Sequence, residues 1–133
     1  MTTAKKACFW LVALHAVALV VHSQAHQAVP VPLSPLQNAF AVIVIVIAPL
    51  LAIALIWRGS PRFGGTLLAA SMFGAFLFGV INHYVLESSD NVAQIPATEW
   101  GSAFVLSAHA LALTELGGTA AAVLLMRVSA RGR

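Results

Sequence analysis

Residues 39–57 read AFAVIVIVIAPLLAIALIW, nineteen positions without a polar side chain, closed by Trp57. In water, the Val/Ile alternation at 42–47 would favour a strand. A run of about 20 apolar residues is instead the length of a membrane crossing. In lipid the backbone must bond to itself, so helix overrides strand propensity. The predicted helix covers about 35–57. Ser34 is placed as its N-cap, Pro35 takes the first helical position, and Gln37 completes a capping box. Pro49 removes one backbone bond near mid-span, and a kink is expected there.

Three further apolar runs flank this one, over about 7–26, 63–84 and 98–127, giving an all-α fold: a single domain, a bundle of four transmembrane helices. Of the 133 residues 60% are hydrophobic and 8% charged, against roughly 25% charged in a soluble domain. Eleven charges cannot clothe a chain of this size in water. Pro30, Pro32 and Pro35 make an extended link after the first helix. Arg58-Gly59-Ser60-Pro61-Arg62 reads as a tight turn, with Ser60 as N-cap of the third helix. Residues 85–97, carrying Glu87, Asp90 and Pro96, form the longest loop. Ala70/Gly74 and Ala75/Gly79 in the third helix, and Ser107, Thr114, Gly118 and Ala122 in the fourth, are small-residue faces suited to close helix packing. They suit packing within the chain, against another membrane subunit, or in a homo-oligomer.

With four crossings, Lys5, Lys6, Arg58, Arg62, Arg127, Arg131 and Arg133 all fall at one end. The positive-inside rule makes that end cytoplasmic, with both termini, in a bacterial inner membrane. Trp10, Trp57 and Trp100 lie near helix ends, where interfacial tryptophans belong. The net charge of +3 is thus a topology signal and gives no nucleic-acid patch; the expected partner is the lipid bilayer. One alternative stays open: MTTAKK, fifteen apolar residues and Ser23-Gln24-Ala25 also fit a cleavable signal peptide, which would leave three helices and an N-terminal His26. His15 interrupts the apolar region such a peptide needs, which favours retention.

The chemistry resides in the histidines. His15, His22 and His26 fall within about 40° of one another at 100° per residue, one stripe on the first helix. Ionisable groups inside a span face the bundle interior by default. They sort into two depths. His22 and His26 near the outer end, with His83 beside Asn82 at the outer end of the third helix and Asp90 in the following loop, make a four-ligand set for zinc, copper or iron. Deeper, His15 and His109 each lie ~15 Å below the outer helix ends by the 1.5 Å rise. That level suits axial ligation of a b-type haem or a proton path. Glu115 is a carboxylate within a span, expected to be protonated or hydrogen-bonded. Against all of this stands the plain alternative, an accessory or structural subunit whose histidines only tie helices together. Cys8, the single cysteine, excludes an intramolecular disulfide and any CxxC site. No P-loop, GxGxxG, HExxH or GxSxG motif is present, and nothing in the spacing of serine, histidine and aspartate suggests a hydrolase; whether the chain is an enzyme stays open, with the balance against it.

Asn82-His83-Tyr84, Ser89-Asp90-Asn91-Val92, Pro96, Trp100 and Thr114-Glu115 before Gly117 together resemble small, uncharacterised four-helix bacterial integral membrane proteins. The likeness covers about the second half of the chain, with a looser one in the first helix. It implies a fold and no activity.

Overall fold

The computed structural model describes residues 2–131; Met1, Gly132 and Arg133, one of the seven basic residues counted above, lie outside the described residues. Four helices are long and apolar enough to cross a membrane: Thr3–Ala28, Pro35–Trp57, Pro61–Val85 and Glu99–Arg131. No strand occurs among the described residues. Each helix extends past its apolar run by a few polar or basic residues. Thr2 caps the first, its hydroxyl accepting from the Lys5 amide.

The second helix begins as its sequence dictates. Ser34 Oγ accepts from the Gln37 amide at 3.2 Å, and Gln37 Oε1 accepts from the Ser34 amide at 2.8 Å. Its middle does not simply kink. Ala41–Ile47 is wound as a π-helix, and the Ala48 amide bonds to Ile43, five residues back. Pro49 cannot donate to the carbonyl four residues behind it, and the widened turns just upstream take up the shifted register. Ser60 departs from expectation. It holds the N-cap position but makes no capping bond, since its ψ of 59° lies outside the extended range a cap requires. Its amide instead closes the turn onto Leu55 O, across Gly59 at φ +88°.

The fourth helix is the hub, packing along both the first and the third, while the third packs on the second. The first and second touch only sparsely, leaving a loose seam. The close approaches are made by glycines. A Cβ on Gly118 would lie 2.6 Å from Met72, and one on Gly64 would lie 2.7 Å from Ala52 O. Polar side chains are drawn inside, next to an apolar core, and large apolar ones face outward. His15, His22, Asn82, His83, Asp90, Ser107 and Glu115 are buried, while Leu14, Val17, Leu50, Phe63, Leu106 and Leu113 are exposed. Such a surface suits lipid. The alternating helices put Lys5, Lys6, Arg58, Arg62, Arg127 and Arg131 at one end.

Candidate metal centre

The stripe on the first helix turns inward: His15 and His22 are buried and His26 nearly so. His83 reaches them from the third helix, whose last turn, Ile81–Val85, is a second π segment. The ring centroids of His22 and His83 are 4.9 Å apart, and those of His22 and His26 4.7 Å. One ligating atom from each of His22, His26 and His83 lies within 4.8 Å of the others. Nitrogen ligands on a tetrahedral zinc sit about 3.4 Å apart, given metal–nitrogen bonds of about 2.0–2.1 Å. The rings therefore need to close by only about an ångström, within the range of side-chain torsions.

A site shared by His22, His26 and His83 would be simplest if the first and third helices packed as neighbours, with Ala75 and Gly79 allowing the approach. They do not, because the fourth helix stands between them. The imidazoles span the bundle interior by their own length, over Phe104. That ring is fully buried, with its centroid 4.6 Å from His22, 4.8 Å from His26 and 5.5 Å from His83.

Hydrogen bonds fix the tautomers. His26 Nδ1 is 3.2 Å from the Val31 carbonyl and His83 Nδ1 is 3.1 Å from the Asp90 carbonyl. A carbonyl only accepts, so both Nδ1 atoms carry the proton. His22 Nδ1 is 2.9 Å from Ser107 Oγ. The Ser107 hydroxyl spends its own proton on the carbonyls of Ala103 and Phe104, at 2.6 and 3.0 Å. It must therefore accept from His22. In a neutral ring held this way, Nε2 keeps the lone pair that a metal would take. A ligating histidine is normally held in this way, its other nitrogen donating to a carbonyl or hydroxyl. His22 Nε2 is buried with no partner. An unsatisfied buried polar atom costs about 1–3 kcal/mol, a cost a bound cation would remove.

Asp90 arrives with the 86–97 segment, which folds back over the bundle. The Val92 amide bonds to the His83 carbonyl at 2.9 Å, and Asn91 Nδ2 donates to Leu86 O. Val92 and Ile95 pack on Ala25, Val29, Val31 and Phe104. Gly101 lets the loop seat, because a Cβ there would collide with the Pro96 carbonyl oxygen. Asp90 Oδ1 is 3.1 Å from His83 Nδ1 and 3.6 Å from His26 Nε2. The directed bond from His83 goes to the Asp90 main chain, so neither carboxylate oxygen receives one. Burial pushes the Asp90 carboxyl up, but His83, His26 and His22 together outweigh it and hold it below the usual carboxylate range. An anionic Asp90 with free lone pairs is placed to join the three imidazoles or to compensate a cation among them.

The deeper histidines do not form the pair the sequence suggested. His15 Nε2 lies 3.3 Å from Glu115 Oε1, both side chains buried. His109 is exposed, its Nδ1 2.7 Å from Val105 O and its ring 5.5 Å from Tyr84. The two rings serve different faces, and no haem can be axially held between them. The level was misjudged because depth in the fourth helix was counted from Glu99. With His22 opposite Ser107 and His15 opposite Glu115, the fourth helix starts beyond the outer end of the first. Asn82 is structural. It accepts from Gln37 Nε2 at 3.0 Å and donates to Phe78 O at 2.8 Å, tying the second helix to the third.

Sequence reasoning missed Phe104, the floor of the cluster, and saw Ser107 only as a small packing residue. The signal for Ser107 was its place opposite His22 once the helices are paired antiparallel. Compared with known proteins, the chain matches no family model, no curated protein and no solved structure, so the site is read from its own geometry.

Proposed function

We propose that this is an integral membrane protein that binds one transition-metal ion through His22, His26 and His83, with Asp90 as fourth ligand or counter-charge, and serves metal handling or redox chemistry. By the positive-inside rule the basic end faces the cytoplasm of a bacterial cell, which puts the site at the outer face of the inner membrane. The observation that carries the reading is the cluster itself: three imidazoles from two helices with one ligating nitrogen each within 4.8 Å of the others, His22 Nε2 buried without a partner, and the Asp90 carboxylate beside them. Three nitrogens and a carboxylate suit zinc, and are open to copper or iron.

The competing reading is an accessory subunit in which these groups only join helices. It draws on the fact that every ring of the trio already has one hydrogen bond. Elemental analysis and an absorption spectrum of detergent-purified protein, repeated on H22A, H26A, H83A and H109A, separate the two. The metal reading expects stoichiometric zinc, copper or iron without a Soret band, its content sharply reduced in the first three variants and kept in H109A. No metal in the wild-type protein, or equal retention in all four variants, favours the accessory subunit.

A further inference from the structure

Below the outer trio the bundle is not solid. A cavity of about 80 Å³ is lined by His22, His26, His83 and Asp90 at one end and by Glu115 at the other. That is room for several waters. A second, smaller cavity of about 40 Å³ reaches His15 between the first and second helices. Leu19 and Ile45 wall both, so two side chains separate them. Ile45 belongs to the π segment of the second helix, on the sparsely packed seam with the first. Further in, Cys8, Ile56, Leu68, Met72, Ala122 and Leu125 form an apolar core at the basic end, all essentially inaccessible.

Glu115 sits where these voids stop. One oxygen meets His15 at 3.3 Å, a long contact for a charged pair; the other makes no hydrogen bond among the described residues. The second oxygen, Oε2, and His83 Cδ2 both lie within 4 Å of the Cβ position that Gly79 leaves empty. The deeper pair and the outer trio are therefore close neighbours around a small residue. A carboxylate at this depth is costly unless a cation offsets it, and one imidazole at 3.3 Å leaves half of it unmatched.

We propose that His15 and Glu115 form a second binding station for a divalent transition-metal ion, reached from the outer histidine trio along the seam between the first and second helices. His15 Nε2 and the Glu115 carboxylate supply two ligands, and water in the cavities completes the shell. With an apolar core further in, the ion stops at mid-depth: the protein accepts it at the outer face and holds it inside the membrane. The proposal rests on the outer trio only as the point of entry; the deeper ligands stand by themselves.

The test is equilibrium titration of the detergent-purified full chain with cobalt(II), counting ions per chain. The wild type should take two, E115Q one, and the double variant H22A/H83A one. H15Q reads as E115Q does, and serves in its place should E115Q not fold. A wild type saturating at one ion, with that ion unaffected by E115Q and H15Q, overturns the deeper station and leaves the outer site standing. A wild type taking two ions that E115Q and H15Q both retain also overturns it. One ion lost with E115Q but kept in H22A/H83A upholds the deeper station and overturns the outer one.

Discussion

At the basic end of the bundle the interior is Cys8, Ile56, Leu68, Met72 and Leu125; at the other end it is His22, His26, His83, Asp90 and Phe104. The first group comes from all four helices, the second from the first, third and fourth and the 86–97 segment, and the two are packed differently. In the basic half, helices approach until glycine is required, as at Gly64 against Ala52 and Ile56. In the outer half imidazoles reach across the interior, π turns replace α turns, and cavities remain. Apolar packing there could have been as dense, since the helices continue with ample Leu, Val and Ala. The difference teaches that the inner half carries the stability and the outer half holds its polar groups ready for something else. Stability and binding should therefore be separable by mutation.

The largest expected effect is on binding. Removing an imidazole of the trio, by H22A or H83A, should weaken metal affinity by more than about 100-fold, since loss of a mere supporting partner already costs 10–100-fold. The loss should leave the thermal midpoint of the metal-free protein nearly unchanged. Equilibrium dialysis and a melting curve in detergent read the two quantities. A collapse of stability with the histidine would break the division between halves.

The converse is G64A. A Cβ there meets backbone at 2.7 Å on Ala52 and 2.9 Å on Ile56, which cannot yield without moving the second helix from the third. Overpacking of this kind costs about 1–3 kcal/mol. Chemical unfolding should record that loss, while metal bound per folded molecule stays the same.

Next in size is S107A, which keeps the helix but leaves His22 Nδ1 without its acceptor. The ring is then free to rotate or change tautomer, and about a tenfold loss of affinity is expected. An S107A protein with wild-type affinity would show that the tautomer argument has no energetic weight.

The loop over the site should respond to acid in a defined sense. The folded-state value of Asp90 is depressed, so its contribution to docking the 86–97 segment is fully present above the ordinary carboxylate value of about 4. It is lost only as the pH falls through the lower folded value. Proteolysis within 86–97 of the metal-free protein should thus be equally slow at pH 7 and pH 5. Faster cleavage at pH 5 would mean that the segment does not depend on an ionised Asp90. The smallest effect belongs to H109A, expected to change neither affinity nor stability measurably, since that ring is exposed and bonds only within its own turn.

Much of this contrast was legible in the residues. The four apolar runs set the four helices, and the spacing of His15, His22 and His26 put them on one inward face. Ser34 and Gln37 announced their capping box, and Asp90 was placed beside His83. The register between helices was not legible. Depth had to be counted from helix ends, and the fourth helix begins further out than the first, so His109 was set level with His15 where Glu115 belongs. The hub role of the fourth helix was hidden for a related reason. Small residues line both it and the third helix, and only packing decides that Gly118 and Met72 carry the close approach. Ser60 in turn shows that a capping residue followed by proline caps only if the preceding turn gives it an extended ψ.

The central claim, a metal held by three imidazoles at the outer end, is tested most directly by X-ray absorption at the edge of the metal bound to the purified protein. Measured in E115Q, which keeps the outer site alone, the account predicts a first shell at about 2.0–2.1 Å with the outer-ring scattering of three imidazoles, falling to two when H26A is added. A first shell of oxygen alone, or imidazole scattering unchanged by H26A, would contradict it.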